Sequence, residues 1–193
     1  MTEAYKLLSV TLRIPHGIQK ELNRLGASGW RVRGATASFL FLEQTPGLRE
    51  AQVASITLRG PRGILHDVER RCSAGGWELG AIGASFLFFD RAGEGPGRKL
   101  QYRMESITLR SPAGVLKLAD QLGAEGWRLR AMGPSLAIFE HEDGGRNVYR
   151  HDFESITLRT PRRIQTLLNE RQQDGWTLSD ASRNFVAFSR PEA

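Results

Sequence analysis

The sequence is poor in the residues that most chemistry needs. Cys72 is its only cysteine, so no disulfide can form within the chain and no thiolate cluster can hold a metal. It is expected to serve as a small core residue on a helix. No apolar run approaches membrane-spanning length, and the opening MTEAYKLLSV lacks the long uncharged stretch of a signal peptide. The expectation is therefore a cytoplasmic protein with no membrane partner. His16, His66, His141 and His151 stand in unlike contexts without metal-ligand spacing, and no serine has a G-x-S-x-G setting. There is no G-x-x-x-x-G-K-[ST], and RAGEGPGRK lacks the strand-to-helix context of a nucleotide loop. These absences argue against an enzyme and predict neither cofactor nor metal.

Lysine is also scarce: Lys6, Lys20, Lys99 and Lys117 are the only ones, so arginine supplies most of the 27 basic residues. Against 21 acids this gives a formal charge of +6, which points to a polyanion. GC-rich codon usage would skew the composition the same way. No basic tail is present, so any basic surface has to be assembled by folding. A content of 40% hydrophobic and 25% charged residues over 193 positions suits a globular chain with a real core.

The chain repeats itself four times. SVTLRIP from Ser9, SITLRGP from Ser55, SITLRSP from Ser106 and SITLRTP from Ser155 are each followed by Gly-Trp, at Trp30, Trp77, Trp127 and Trp176. Each copy then ends in an apolar run: SFLFLE, SFLFFD, SLAIFE or NFVAFS. Such a period marks one supersecondary unit used repeatedly. The unit boundaries expected are 1–46, 47–96, 97–145 and 146–193.

Within a unit, S-[IV]-T-L-R alternates with period two and predicts a half-buried strand, Val10 and Leu12 or Ile56 and Leu58 facing a helix. Pro15, Pro61, Pro112 and Pro161 then occupy the first helical turn, where a missing N–H is tolerated, with Ser111 and Thr160 as N-caps. Ile18, Leu22 and Leu25, and Val115, Leu118, Ala119 and Leu122, form apolar helical stripes. Glycine before tryptophan supplies a turn, and the indole packs beneath the helix. The third strand is apolar on both parities, which predicts a central strand covered on both faces. The fold expected is α+β: four tandem βαββ repeats, antiparallel or mixed sheets with helices on one face. Copies one and three resemble each other, which predicts repeats paired into two pseudo-symmetric halves.

The unit, read most clearly in GGWELGAIGASFLFFD of the second copy, resembles a small bacterial βαββ domain family of unknown function. The other copies depart from it at the position of Glu78. This resemblance implies a fold and no activity. As a whole, the arginine-rich chain repeated around S-I-T-L-R resembles radiation-induced DNA-damage-response proteins of Deinococcus. That resemblance implies DNA binding in the DNA damage response, with a nucleoid-associated location.

Two sets of arginines carry the functional expectation. Arg13, Arg59, Arg110 and Arg159 precede the helix-initiating prolines, and Arg62, Arg162 and Arg163 follow them. Positive charge at a helix N-terminus is unfavourable by about 0.3–1 kcal/mol, so this arrangement calls for a compensating anion such as phosphate. Pairing with Glu43, Asp90, Glu140, Glu105 or Glu154 is the structural alternative. Arg31, Arg33, Arg128 and Arg130 form a second row, expected to line a basic groove or to guard a solvated strand. The combined expectation is a non-catalytic protein that contacts the DNA phosphate backbone. The rival is an interaction or oligomerisation module, with the apolar third strands adding subunits into a dimer or larger homo-oligomer.

Overall fold

A computed structural model describes residues 4–11, 14–92, 99–145 and 147–192, without the side chains of residues 74 and 75. Four units follow one another. The first comprises β1 (Tyr5–Ser9), α1 (Pro15–Gly26), β2 (Trp30–Ala35) and β3 (Phe39–Gln44). The second comprises β4 (Glu50–Ser55), α2 (Pro61–Gly75), β5 (Glu78–Ile82) and β6 (Phe86–Arg91). The third comprises β7 (Leu100–Ser106), α3 (Pro112–Ala124), β8 (Arg128–Met132) and β9 (Leu136–Glu142). The fourth comprises β10 (Tyr149–Ser155), α4 (Pro161–Gln173), β11 (Thr177–Ala181) and β12 (Phe185–Pro191). Each unit forms an antiparallel three-stranded sheet with its last strand in the centre, as in β1-β3-β2. The α+β class and the four βαββ units match the sequence expectation.

The caps follow the sequence too. Ser111 accepts a hydrogen bond from the Gly114 N–H at 3.2 Å, and Thr160 accepts one from Arg163 at 3.4 Å. Gly29, Gly76, Gly126 and Gly175 all have positive φ, the conformation that the Gly-Trp turns require. The indoles that follow are only half-buried at the core margins. Lys6 lies 4.1 Å from the Trp30 ring, and Arg91 and Arg190 lie 4.6 Å from those of Trp77 and Trp176.

The doubly apolar central strands determine how the units assemble. Leu40 and Leu42 pack in one core with Ile18, Leu22 and Leu25 of their own helix, whereas Phe41, on the opposite parity, packs with Ile164, Leu167 and Leu168 of α4. Leu87 and Phe89 likewise face α2, while Phe88 packs into the α1 core. Phe139 faces α3, and Ile138 packs with Ile64 and Val68 of α2. Each helix is thus sandwiched between its own sheet and the next one, and α4 closes onto β1.

The expected pairing into halves therefore takes another form, a closed ring of four units. Every sheet has two apolar faces to cover and every helix can serve two sheets, so a chain of four has no reason to stop at pairs. A twofold relation survives only in chemistry, through the likeness of units one and three.

Both edges of each sheet are occupied. At the outer edge, the helix of the preceding unit packs along the first strand, and α1, α3 and α4 supply side chains to that strand's backbone, as Asp120 does in accepting from His151 N at 3.0 Å. Gln19 donates to Ala51 O and accepts from Val53 N at 2.7 Å, and Asn23 accepts from Ala51 N at 2.9 Å. Gln165 donates to Tyr5 O at 3.0 Å, joining the fourth unit to the first. At the inner edge, β2, β5, β8 and β11 meet around the ring axis. The approach is close: a Cβ on Gly34 would lie 2.8 Å from Ala181 N, and one on Gly80 would lie 2.9 Å from Val32 O. Covered edges remove the usual route to strand-by-strand association.

Candidate nucleic-acid interface

Strand direction fixes which residues share an end of the ring. In unit one, Ser9 pairs with Phe39 and Ala35 with Leu40, so the end of β1, the β2–β3 hairpin and the start of α1 lie together. Hydrogen bonds from Val10, Ile56, Ile107 and Ile156 N–H to Ser38, Ser85, Ser135 and Asn184 O repeat this junction in every unit. The four hairpins in turn surround one cavity of about 290 Å³ on the axis. All four helix N-termini therefore open on one face.

That face is basic. Its segments 55–62, 106–114 and 155–163, with the hairpin 182–184, hold Arg59, Arg62, Arg110, Arg159, Arg162, Arg163 and Arg183 and no acid. All seven are exposed. Arg59 reaches Asp67 at 3.4 Å and Arg159 reaches Glu154 at 3.7 Å, while Arg62, Arg110, Arg162, Arg163 and Arg183 make no ion pair among the described residues. Arg13, expected at the equivalent place in unit one, lies outside the described residues.

The S-[IV]-T-L-R segments differ from expectation. The strands end at Ser55, Ser106 and Ser155, and the next four residues form a β-turn closed by Arg59 N–H to Ile56 O at 3.0 Å, with Arg110 and Arg159 doing the same to Ile107 and Ile156 at 3.1 Å. Leu58 faces no helix. Leu58, Leu109 and Leu158 are 101%, 101% and 99% exposed, at φ 66°, 64° and 62°. Period-two alternation carried the strand one turn too far, because nothing in it distinguishes a strand from a tight turn that happens to alternate.

A leucine in the third position of such a turn occupies left-handed space that favours glycine, at a cost of roughly 1–2 kcal/mol. Packing does not offset this, since the side chain touches solvent. Leu109→Gly should consequently raise folding stability by about 0.5–1 kcal/mol after the extra flexibility of glycine in the unfolded chain is subtracted. Urea unfolding of the variant measures this directly, and a lower midpoint would reveal a packing role for Leu109.

The second expected row is placed elsewhere. Arg31, Arg33, Arg128 and Arg130 neither line an open groove nor face solvent; they point into the ring axis. Arg31 and Arg33 each bind Glu43 at 2.8 Å, and Arg31 also reaches Glu78 at 3.3 Å. Arg128 and Arg130 bind Glu140 at 3.0 and 3.5 Å, and Arg49 binds Asp90 at 3.0 Å. Glu43 and Glu140 thus neutralise the axial row, and among the described residues no acid that ends a third strand pairs with a helix-start arginine. Burial alone would raise the Glu43 carboxyl, but Arg33 and Arg31 outweigh it and hold the group at about 2. Burial, reinforced by Arg33, lowers Arg130 to about 10. The correction has a simple cause: the unit alone shows this strand face as free, and only ring closure encloses it.

Above this charged layer sits Asp180, which sequence reasoning missed. In the other units its position is taken by Gly34, Ala81 and Ala131. Its fully buried carboxyl group accepts from Ala35 N at 3.2 Å and Ala181 N at 2.7 Å, and also from Met132 N, tying three units together. Each inner strand bulges one residue earlier, and the edge amides of β2 and β8 would otherwise be left without partners. Burial pushes the Asp180 carboxyl up to about 8, against the pull of those amides and of Arg130. The one sequence signal was a carboxylate at a place where the other copies hold glycine or alanine.

Among the described residues no group of three or more His, Cys, Asp and Glu could hold a metal ion, and no helix is long and apolar enough to cross a membrane. Cys72 is buried on α2, and burial raises its thiol to about 11. No protein-family model, curated protein or solved structure matches the chain, so neither resemblance noted in the sequence draws support from those comparisons.

Proposed function

We propose that the protein binds DNA non-catalytically, through phosphate contacts made by the face that carries the four helix N-termini. The observation supporting this most directly is the gathering of Arg59, Arg62, Arg110, Arg159, Arg162, Arg163 and Arg183 at one end with no acid in the segments that bear them. Arginine forks and free amides at helix starts both suit phosphate oxygens. The axial Arg31, Arg33, Arg128 and Arg130 drop out of the contact set, because their charges are enclosed and largely paired. The competing idea of subunits added through the third strands loses its surface, since those strands are central and covered on both faces.

Phosphate binding of this kind releases counterions, so affinity should fall steeply with salt. Fluorescence anisotropy on labelled oligonucleotides over a range of salt concentrations tests this. Joint substitution Arg159→Ala, Arg162→Ala and Arg163→Ala should weaken every sequence alike and reduce the salt slope by about 3. An unchanged slope would clear that cluster of any role. Absence of binding even at low salt would remove the DNA reading altogether.

A further inference from the structure

The basic face carries a feature that phosphate contact alone does not use. Leu58, Leu109 and Leu158 stand fully exposed beside Arg59, Arg110 and Arg159, in a backbone conformation that leucine resists. Thr-Leu-Arg recurs in all four units, although the neighbouring inner strands have diverged to Arg-Val-Arg, Glu-Leu-Gly, Arg-Leu-Arg and Thr-Leu-Ser. Strain kept in repeated copies without any packing return points to an external partner.

We propose that this face docks on the crossover of a four-way DNA junction in its open, square form, the arginines on phosphates entering the arms and the leucines against base pairs left unstacked at the branch. The inference rests on the DNA reading above and narrows it to one class of DNA.

Two independent features lead there. The first is placement. Because the ring is closed, the four helix N-termini lie one to a quadrant around the axis, the described turns of units two, three and four beside three of them, with the four hairpins and their 290 Å³ hollow in the centre. A straight duplex laid over such a face covers opposite quadrants and leaves the other two empty, whereas an open junction sends one arm into each. Its central opening then lies over the hollow. A chain of this length has a radius of gyration of about 16 Å, so the body is wide enough to underlie a crossover and the first phosphates of every arm.

The second feature is the apolar tip. The flank of a regular duplex offers phosphate and sugar, against which a leucine gains nothing and strips water from charge. Apart from the thymine methyl groups on the floor of the major groove, the apolar surfaces of DNA are its base faces, which are closed by stacking in a duplex and opened where stacking breaks. Leucine is among the side chains that wedge between base steps, at a cost for unstacking a duplex step that a branch has already met. An unpaired strand also exposes base faces, but it has no fourfold arrangement to match.

The test uses the full chain, without magnesium so that the junction stays open. Anisotropy titrations compare a labelled four-way junction with a duplex and a single strand of matched length. The junction should bind at least about tenfold more tightly than the duplex, the equivalent of one leucine side chain taken from water. The triple variant Leu58→Ser, Leu109→Ser, Leu158→Ser should lose that preference while keeping its duplex affinity. Its fold is checked by circular dichroism, and the exposure of all three positions leaves the core untouched. Equal affinity for junction and duplex would overturn the inference and leave the DNA reading standing, as would a single strand bound as tightly as the junction. Binding to no DNA at low salt, or to phosphatidylserine vesicles in place of DNA, would overturn both.

Discussion

Glu43→Ala is expected to cost about 3–5 kcal/mol of folding stability, a large share of what holds a domain of this size together. The carboxylate accepts from the Nε atoms of Arg31 at 2.9 Å and Arg33 at 2.8 Å, and from the Tyr5 hydroxyl at 3.2 Å. Arg33 is 3% exposed, so its charge cannot turn to water once the partner is gone. Truncation therefore leaves a cation in the ring axis close to Arg130, a second buried cation whose terminal nitrogens have no partner among the described residues. Equilibrium urea unfolding should show the loss as a lowered midpoint. The double substitution Arg33→Met with Glu43→Leu should recover part of it, because Arg33 is no longer orphaned and Arg31 keeps Glu78 at 3.3 Å. A loss below about 1 kcal/mol for Glu43→Ala would mean that the pair behaves as a surface ion pair, with water reaching the axis.

The same pair shows how far the sequence could be read. Local patterns came through: the prolines began helices, Ser111 and Thr160 capped them, and the doubly apolar runs became central strands. Each of these depends on a few neighbouring residues. What lay beyond local pattern was closure. Nothing within one unit tells whether the face bearing Arg31 and Arg33 meets solvent or three other copies of itself, and the answer reverses the meaning of those residues. Arginine on a free strand is a contact for an anion, whereas arginine on a ring axis needs a carboxylate from its own sheet. Glu43 and Glu140 recur at matching strand ends, and their coincidence with the arginine-bearing copies, one and three, was the available clue.

The turn leucines were hidden for a different reason. Alternation is a statement about which side a residue faces, and it holds only while the chain stays extended. The strands stop at Ser55, Ser106 and Ser155, so the residue expected deepest in the core is the one furthest from it. Glycine would have announced the left-handed turn, and leucine in its place concealed it. That substitution is also what makes the turn informative, since a residue chosen for the backbone alone would have been glycine. The fold thus explains why proline follows and why serine precedes, and it leaves leucine to be explained by what lies outside.

Stability should vary with pH as a plateau with a shoulder on each side, shaped by the buried groups Asp180, His151 and Glu43, with Asp90, whose carboxyl burial also raises, acting in the same direction as Asp180. Asp180 rises from 3.8 to about 8 on folding, so between those values the folded chain keeps a proton that the unfolded chain has lost, and stability falls as pH rises. His151 behaves oppositely: burial, aided by Arg128, lowers it from 6.5 to about 4, so stability rises with pH across that window. Between about pH 4 and 6.5 the two slopes oppose and largely cancel. Above 6.5 His151 no longer opposes it, and Asp180 by itself should make stability decline at about 1.4 kcal/mol per pH unit, or ~2 kcal/mol by pH 8. Below 4.5, Glu43 sets the acid shoulder, because its carboxyl lies near 2 when folded and the stabilisation it confers is lost as pH falls through that value. Urea midpoints from pH 3 to 9 trace the curve. In Asp180→Asn the alkaline decline should shrink by about 1.4 kcal/mol per pH unit and the plateau should tilt upward from pH 4 to 6.5 as His151 titrates without Asp180 against it. That variant is also less stable overall, since its amide nitrogen cannot accept from a backbone N–H as the second carboxyl oxygen does, so the slope and not the absolute midpoint is the measurement that decides. An alkaline decline unchanged in Asp180→Asn would place the titrating group elsewhere, Asp90 first, and leave the Asp180 carboxylate ionised across the range.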